Sequence, residues 1–268
     1  MTYIRLDYGD LALAGLLVVL NGGLSMALEL GVERRLAIAA VRMVVQLTLV
    51  GLVLTTLFAL VSPVWTGLAA LVMILFAGHE ILARQDRPLA GYWAYGLGTG
   101  AMLLASTLVT LFALTTQLSP TPWYDPRYAI PLLGMVLGNI MTGISLGLQT
   151  LTIAVVRDRA AVEARLALGA TRRQALLQPV RLALRSAFLP IINTMAATGV
   201  VSLPGMMTGQ ILSGVEPVEA VKYQILILFL ISGGTGLGSM AAVLGCAWRL
   251  TDHRHRLRLD RLAPAAGG

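Results

Sequence analysis

Charge is what this chain has least of. Only 12% of its 268 residues are Asp, Glu, Lys or Arg, while 57% are hydrophobic. A soluble domain carries about 25% charged residues, so this chain has too few to cover a globular surface and needs lipid as its main solvent. Lysine occurs once, at Lys222, and cysteine once, at Cys246. A single cysteine excludes an intrachain disulfide and leaves the redox compartment open. No Gly-x-x-x-x-Gly-Lys-Ser/Thr phosphate loop is present, and Lys222 has no such glycines before it. No cluster of His, Cys and carboxylates has metal-ligand spacing, and His79 and Glu80 are adjacent, so a helix points them apart. No nucleophile stands beside a plausible base. These absences argue against an enzyme and against a resident cofactor; energy for uphill work would come from another chain. The first apolar run follows Asp7 and Asp10 instead of a basic segment, and it is long enough to span, so it does not read as a cleavable signal peptide.

What the chain does have is apolar length. A bilayer core of roughly 30 Å needs about 20 helical residues. Stretches of that order run about Leu11–Leu30, Leu36–Leu60, Val64–Ile81, Tyr95–Leu118, Ala129–Leu151, Ala187–Ser213 and Val218–Trp248. They are continuous and lack the alternation of a barrel strand, so the expected class is all-α and polytopic, with about seven transmembrane helices. Arginine distribution sets the expected orientation. Arg34 and Arg35, Arg84 and Arg87, seven arginines from Arg157 to Arg185, and five from Arg249 to Arg261 alternate with connections nearly free of them. Arg5, Arg127 and Lys222 fall on the other side. The positive-inside rule then puts the N-terminus outside and the C-terminus in the cytoplasm of a bacterial inner membrane. The expected division is a transmembrane domain over 1–248 and a basic cytoplasmic tail over 249–268.

Three spans carry polar residues. Arg42 and Gln46, four apart, share a face in the second. A charge at that depth costs about 2.5–3.5 kcal/mol, so Arg42 should face protein or water, or else snorkel to the headgroups. In the fifth, Gly134, Gly138, Gly143 and Gly147 are spaced for close helix packing, and Asn139, Thr142, Ser145 and Gln149 form a polar stripe. The stripe reads either as interhelical glue or as a pathway lining. In the sixth, Asn193, Thr194, Thr198 and Ser202 lead into Leu203-Pro204-Gly205-Met206-Met207, where the helix should kink or break. Broken helices at membrane depth are tolerated where they line a cavity or lie buried in protein. The paired methionines are soft ligands in principle, but with no cysteine or histidine nearby apolar packing is favoured. Glu216, Pro217 and Glu219 read as the start of the last span, and Trp123, Tyr124 and Tyr128 as an interfacial aromatic belt.

The organising stretch is Val162–Leu182, VEARLALGATRRQALLQPVRL, the most basic amphipathic segment of the chain. Val162 and Leu166 share a helical face, Gly169 and Ala170 break the helix, and Thr171 followed by Gln174 has the form of a capping box. The reading is helix, tight turn, helix, over about 157–186. Lipid, nucleic acid and protein are each chemically able to hold such a basic hairpin. A helix-turn-helix regulator is disfavoured, because Pro179 falls in the would-be recognition helix and the membrane leaves little room; no nucleic-acid partner is expected.

Glu163-Ala164 with Gly169 six residues after the glutamate, then Val180 and Leu182, resembles the coupling-helix signature of ABC transporter permeases. The chain departs from that pattern at Arg165 and Ala183, which sets it apart from the classical importers. The run from Ser202 to Gly209, with Gly214, Pro217 and Val221-Lys222-Tyr223-Gln224, is similar to the FetB family of iron-export ABC permeases, also known as UPF0014. Leu166-x-Leu168-Gly169-Ala170-Thr171, Arg42-x-x-x-Gln46-Leu47 and Gly134-Met135-x-x-Gly138-Asn139 resemble it too. That resemblance implies a permease that dimerises and docks a separate ATP-binding subunit, with ATP and Mg in the partner. It implies iron or another metal species as the exported cargo, although plant members are tied to aluminium tolerance and to a nucleotide sugar. Glu163, Leu166, Gly169, Ala170 and Thr171, flanked by Arg172 and Arg173, would then meet the ATPase. Arg42, Gln46, Asn139, Thr142, Ser145, Asn193, Thr194, Pro204, Gly205 and Met206 would be pathway candidates. The rival reading is an ATP-independent carrier or channel whose hairpin lies on anionic lipid, although no convincing internal repeat supports it.

Overall fold

The computed structural model describes residues 7–252 and 254–264; Arg5, counted among the outer arginines, and the last four residues of the expected tail lie outside these bounds. The named elements are all helices, and among the described residues pairing between extended segments is confined to isolated bridges. Among the described residues, six helices are long and apolar enough to cross a membrane. A helix satisfies its own backbone groups, which is why uninterrupted apolar runs of this length take that form in lipid.

The chain divides into two compact units between Leu60 and Val61. The first is a hairpin of α1 (Tyr8–Ala27) and α2 (Glu33–Leu60). Buried Ser25 closes its turn: the hydroxyl donates to Glu33 Oε2 at 2.8 Å and accepts from the Val32 N–H at 3.2 Å. Arg42 and Gln46 lie one turn apart on α2.

The second unit contains α3 (Pro63–Ala83), α4 (Tyr92–Phe112, prolonged by a π-helical turn to Leu118), α5 (Pro126–Arg157), α6 (Arg159–Ala167), α7 (Arg172–Ala175), α8 (Leu177–Ala197), α9 (Gly205–Leu212) and α10 (Pro217–Arg249). Asp125 caps α5 by accepting from the Arg127 N–H at 2.9 Å, with Pro126 at the first helical position. Helix α5 is the centre of the unit and packs against α3, α4, α8 and α10. The packing is close because glycine allows it. A Cβ at Gly143 would lie 2.7 Å from both Ser239 Oγ and Thr235 Cγ2 and 3.2 Å from the Ala187 carbonyl. At Gly147 it would lie 2.8 Å from Val243 Cγ2 and 3.3 Å from Ala187 Cβ. Small residues at such positions bring helix backbones together where no hydrophobic effect separates protein from lipid.

The sixth apolar stretch is not one helix. Its first part is the end of α8, which begins back at Leu177 inside the basic segment, and its last part is α9. Of the kink or break expected near Pro204, the structure has a break, and it extends back to Thr198. Gly199 sits at φ +92° and donates to the Ser202 carbonyl at 2.9 Å, a turn that an L side chain resists. Seven apolar stretches therefore supply six long spanning helices, with α8 and α9 sharing the remaining stretch.

Beyond α10 the chain folds back as a strap. Thr251 bridges to Leu257, and Leu262 pairs with Leu89 in the α3–α4 connection. Ala90 N–H donates to the Arg261 carbonyl at 2.7 Å, and Ala263 N–H to that of Pro88 at 2.8 Å.

Candidate functional site

The basic turn is built by two caps in succession. Helix α6 ends in a Schellman arrangement: Ala170 N–H donates to the Arg165 carbonyl at 3.0 Å and Gly169 N–H to that of Leu166 at 3.1 Å. Gly169 takes φ +88°, the left-handed conformation this motif requires. Thr171 then caps α7. Its hydroxyl accepts from the Gln174 N–H, and Gln174 Oε1 accepts from the Thr171 N–H at 2.9 Å, a complete capping box. Thr171→Val keeps the shape and removes the acceptor. Loss of such a cap costs about 1 kcal/mol, so amide exchange at Arg172–Gln174 should accelerate roughly fivefold. Unchanged exchange would mean that the box does not hold the turn.

Below the turn, Val162 is fully buried and Leu166 packs on the core, which anchors α6 by its apolar face. Above it, Leu168 is 88% exposed at the tip, and Gly169 has open space around it. Ion pairs flank the base. Arg157 grips the Asp158 carboxylate at 2.8 and 3.0 Å and holds it below the usual carboxylate range; Arg159 pairs with Glu163 at 2.8 Å. Arg165 Nη1 reaches the Ala175 carbonyl at 3.4 Å, tying the two arms together. The turn is thus a stiff platform with an apolar tip.

Two contacts of this region had no local signature. His255, at the tip of the strap, accepts from the Arg172 N–H through Nδ1 at 3.3 Å. Gln149 closes a second link: its Oε1 accepts from the Asp86 N–H at 2.9 Å and its Nε2 donates to the Asp86 carboxylate. Gln149 therefore clamps the α3–α4 connection to α5. Leu257, Leu259 and Leu262 among the tail arginines were the available hint of a strap; nothing in the sequence linked residues 86 and 149.

The pathway candidates separate into groups. Asn139 and Thr142 are half-buried on α5 and donate to the carbonyls of Met135 and Gly138, both at 2.9 Å. Ser145 is buried on the same helix, and its hydroxyl has no hydrogen-bond partner among the described residues. Asn193 and Thr194 are exposed near the end of α8, which packs on α5; Thr194 donates to the Pro190 carbonyl at 2.9 Å. Pro204, Gly205 and Met206 open α9, which packs on α10. Among the described residues no group of three or more His, Cys, Asp or Glu comes together.

Residues 8–250 match the profile of a family described as "Uncharacterised protein family (UPF0014)". A UPF0014 membrane protein of Synechocystis is 36% identical over 261 residues, covering 94% of this chain and 96% of the relative. The protein ALUMINUM SENSITIVE 3 of Arabidopsis thaliana is 34% identical over 88% of this chain and 84% of its own length. The "Probable iron export permease protein FetB" of Escherichia coli K12 is 30% identical over 94% of this chain and 95% of the relative. No solved structure matches the chain.

Proposed function

From the premise that this chain belongs to the UPF0014 family of membrane proteins, we propose that it is the permease of an ABC exporter for iron or another metal species. The observation that carries the proposal is the platform at Gly169–Thr171: a capped turn that follows the long central helix α5 through α6, with an exposed apolar tip and room for close approach. Such a shape suits the groove of a nucleotide-binding subunit. Glu163, Leu166, Gly169, Ala170 and Thr171 form the contact, with Arg172 and Arg173 at its flank. ATP and Mg belong to that partner, and its closure pushes on α5 through α6 and on α8 through α7. Two copies of the permease complete the transporter. The arginine distribution supports a cytoplasmic turn and strap and an outer N-terminus. Asn139, Thr142 and Ser145 of α5, with Asn193 and Thr194 of α8 and Met206 of α9, are the pathway.

The name of the Escherichia coli relative, a probable iron export permease, supports iron as cargo. Cells lacking the gene and grown under iron load are expected to accumulate iron, and restoring the gene should reverse this. Elemental analysis across several metals checks it. Unchanged iron with a rise in another metal would change the cargo; no change in any metal would remove the metal-export reading.

A further inference from the structure

Arginines are not equally engaged at the basic end of the second unit. Arg157, Arg159 and Arg258 are paired with carboxylates, Arg165 and Arg261 donate to carbonyls, and Arg249 lies 4.9 Å over the Trp93 ring. Arg172 and Arg173 have no carboxylate partner among the described residues, yet both border a groove of about 470 Å³ between the α7–α8 arm and the end of α10. The groove is graded. Helix α8 runs away from the turn while α10 runs towards it. Arg172, Arg173 and Thr251 therefore stand at one end, and Leu176, Val180, Leu244 and Ala247 continue from them towards the span. Trp248, half exposed, forms one edge, the placement an indole takes at a membrane–water interface. Val180 lies seven residues beyond Arg173, in the first turn of α8, so the lining passes from the basic turn onto the apolar arm.

We propose that this groove is a binding site for one anionic phospholipid, its phosphate held by the guanidinium groups of Arg172 and Arg173 and an acyl chain laid along Val180, Leu244 and Ala247. The planar guanidinium suits a phosphate because it offers two parallel donors, and a flat apolar floor suits a chain. Among the described residues that line the groove, none is acidic. The nearby Asp252 is already engaged: its Oδ1 accepts from the Arg254 and Arg256 N–H groups, both at 2.9 Å, and its Oδ2 lies 3.9 Å from Arg258. A lipid so placed would brace α7 against α10 and stiffen the platform.

The test uses the full-length permease alone in detergent, so its result is independent of ATPase docking. Native mass spectrometry should show retained phosphatidylglycerol in preference to phosphatidylcholine. Arg172→Gln with Arg173→Gln should weaken that retention by about tenfold or more, and Leu244→Trp, which fills the floor, should weaken it without changing charge. Arg173→Gln alone, at an exposed position, is the control for folding and should show a partial loss. Equal retention by all four proteins would overturn the proposal. So would protection by inorganic phosphate alone, which would mark a soluble-anion site, or a change of oligomeric state in place of lipid loss, which would assign the groove to a second copy of the chain.

Discussion

Gly143→Ala is expected to destabilise the protein by about 2–3 kcal/mol, and Gly143→Leu to prevent folding. The added Cβ meets Ser239 and Thr235 of α10 on one side and the Ala187 carbonyl of α8 on the other. Side chains can turn away, but the carbonyl belongs to a helix backbone and cannot, so α5 and α8 must separate along their length. Gly138, one and a half turns earlier, is the internal control. Nothing lies within 4 Å of a Cβ there, so Gly138→Ala should be neutral or slightly stabilising, because alanine favours helix by up to about 1 kcal/mol over glycine. Thermal unfolding in detergent compares them. Equal melting temperatures for the two alanine variants would sink the close-packed seam.

Under the proposed function, Gly169→Arg is expected to abolish co-purification with the proposed ATP-binding subunit while leaving the protein folded and membrane-inserted. Two effects combine at this position. Backbone at φ +88° costs an L residue about 1–2 kcal/mol, and a long charged side chain stands where a partner must approach. Gly169→Asn separates them, since asparagine tolerates the left-handed region and is small. It should keep most of the binding. Equal capture of wild-type and Gly169→Arg permease by the ATPase would end the docking assignment for this turn, whatever the transported species.

Much of the turn was legible in advance because its determinants are local. Thr171 and Gln174 are three apart, and Gly169 terminates a helix two residues before the cap at Thr171; each bond spans less than two turns. The spans were legible for a similar reason, since length and uninterrupted apolarity are properties of a segment by itself. The glycine spacing on α5 was ambiguous. Four glycines in the same pattern proved to be two at the α8–α10 seam, one touching only the end of Met73, and one facing open space.

The sequence by itself determined that the chain is an all-α membrane protein, where its apolar segments lie, that the sixth kinks or breaks near Pro204, and that a capped basic turn follows the fifth. Each of these depends on residues within a few turns of one another and on the cost of leaving backbone groups unpaired in lipid. Only the tertiary structure decided which glycines carry the seam and that Gln149 serves as a clamp on Asp86. It alone showed that the basic tail is a strap reaching Arg172, and that Arg172 and Arg173 border a graded groove. Those features join residues distant along the chain, and a bond between residues 172 and 255 leaves no mark in the local pattern of either.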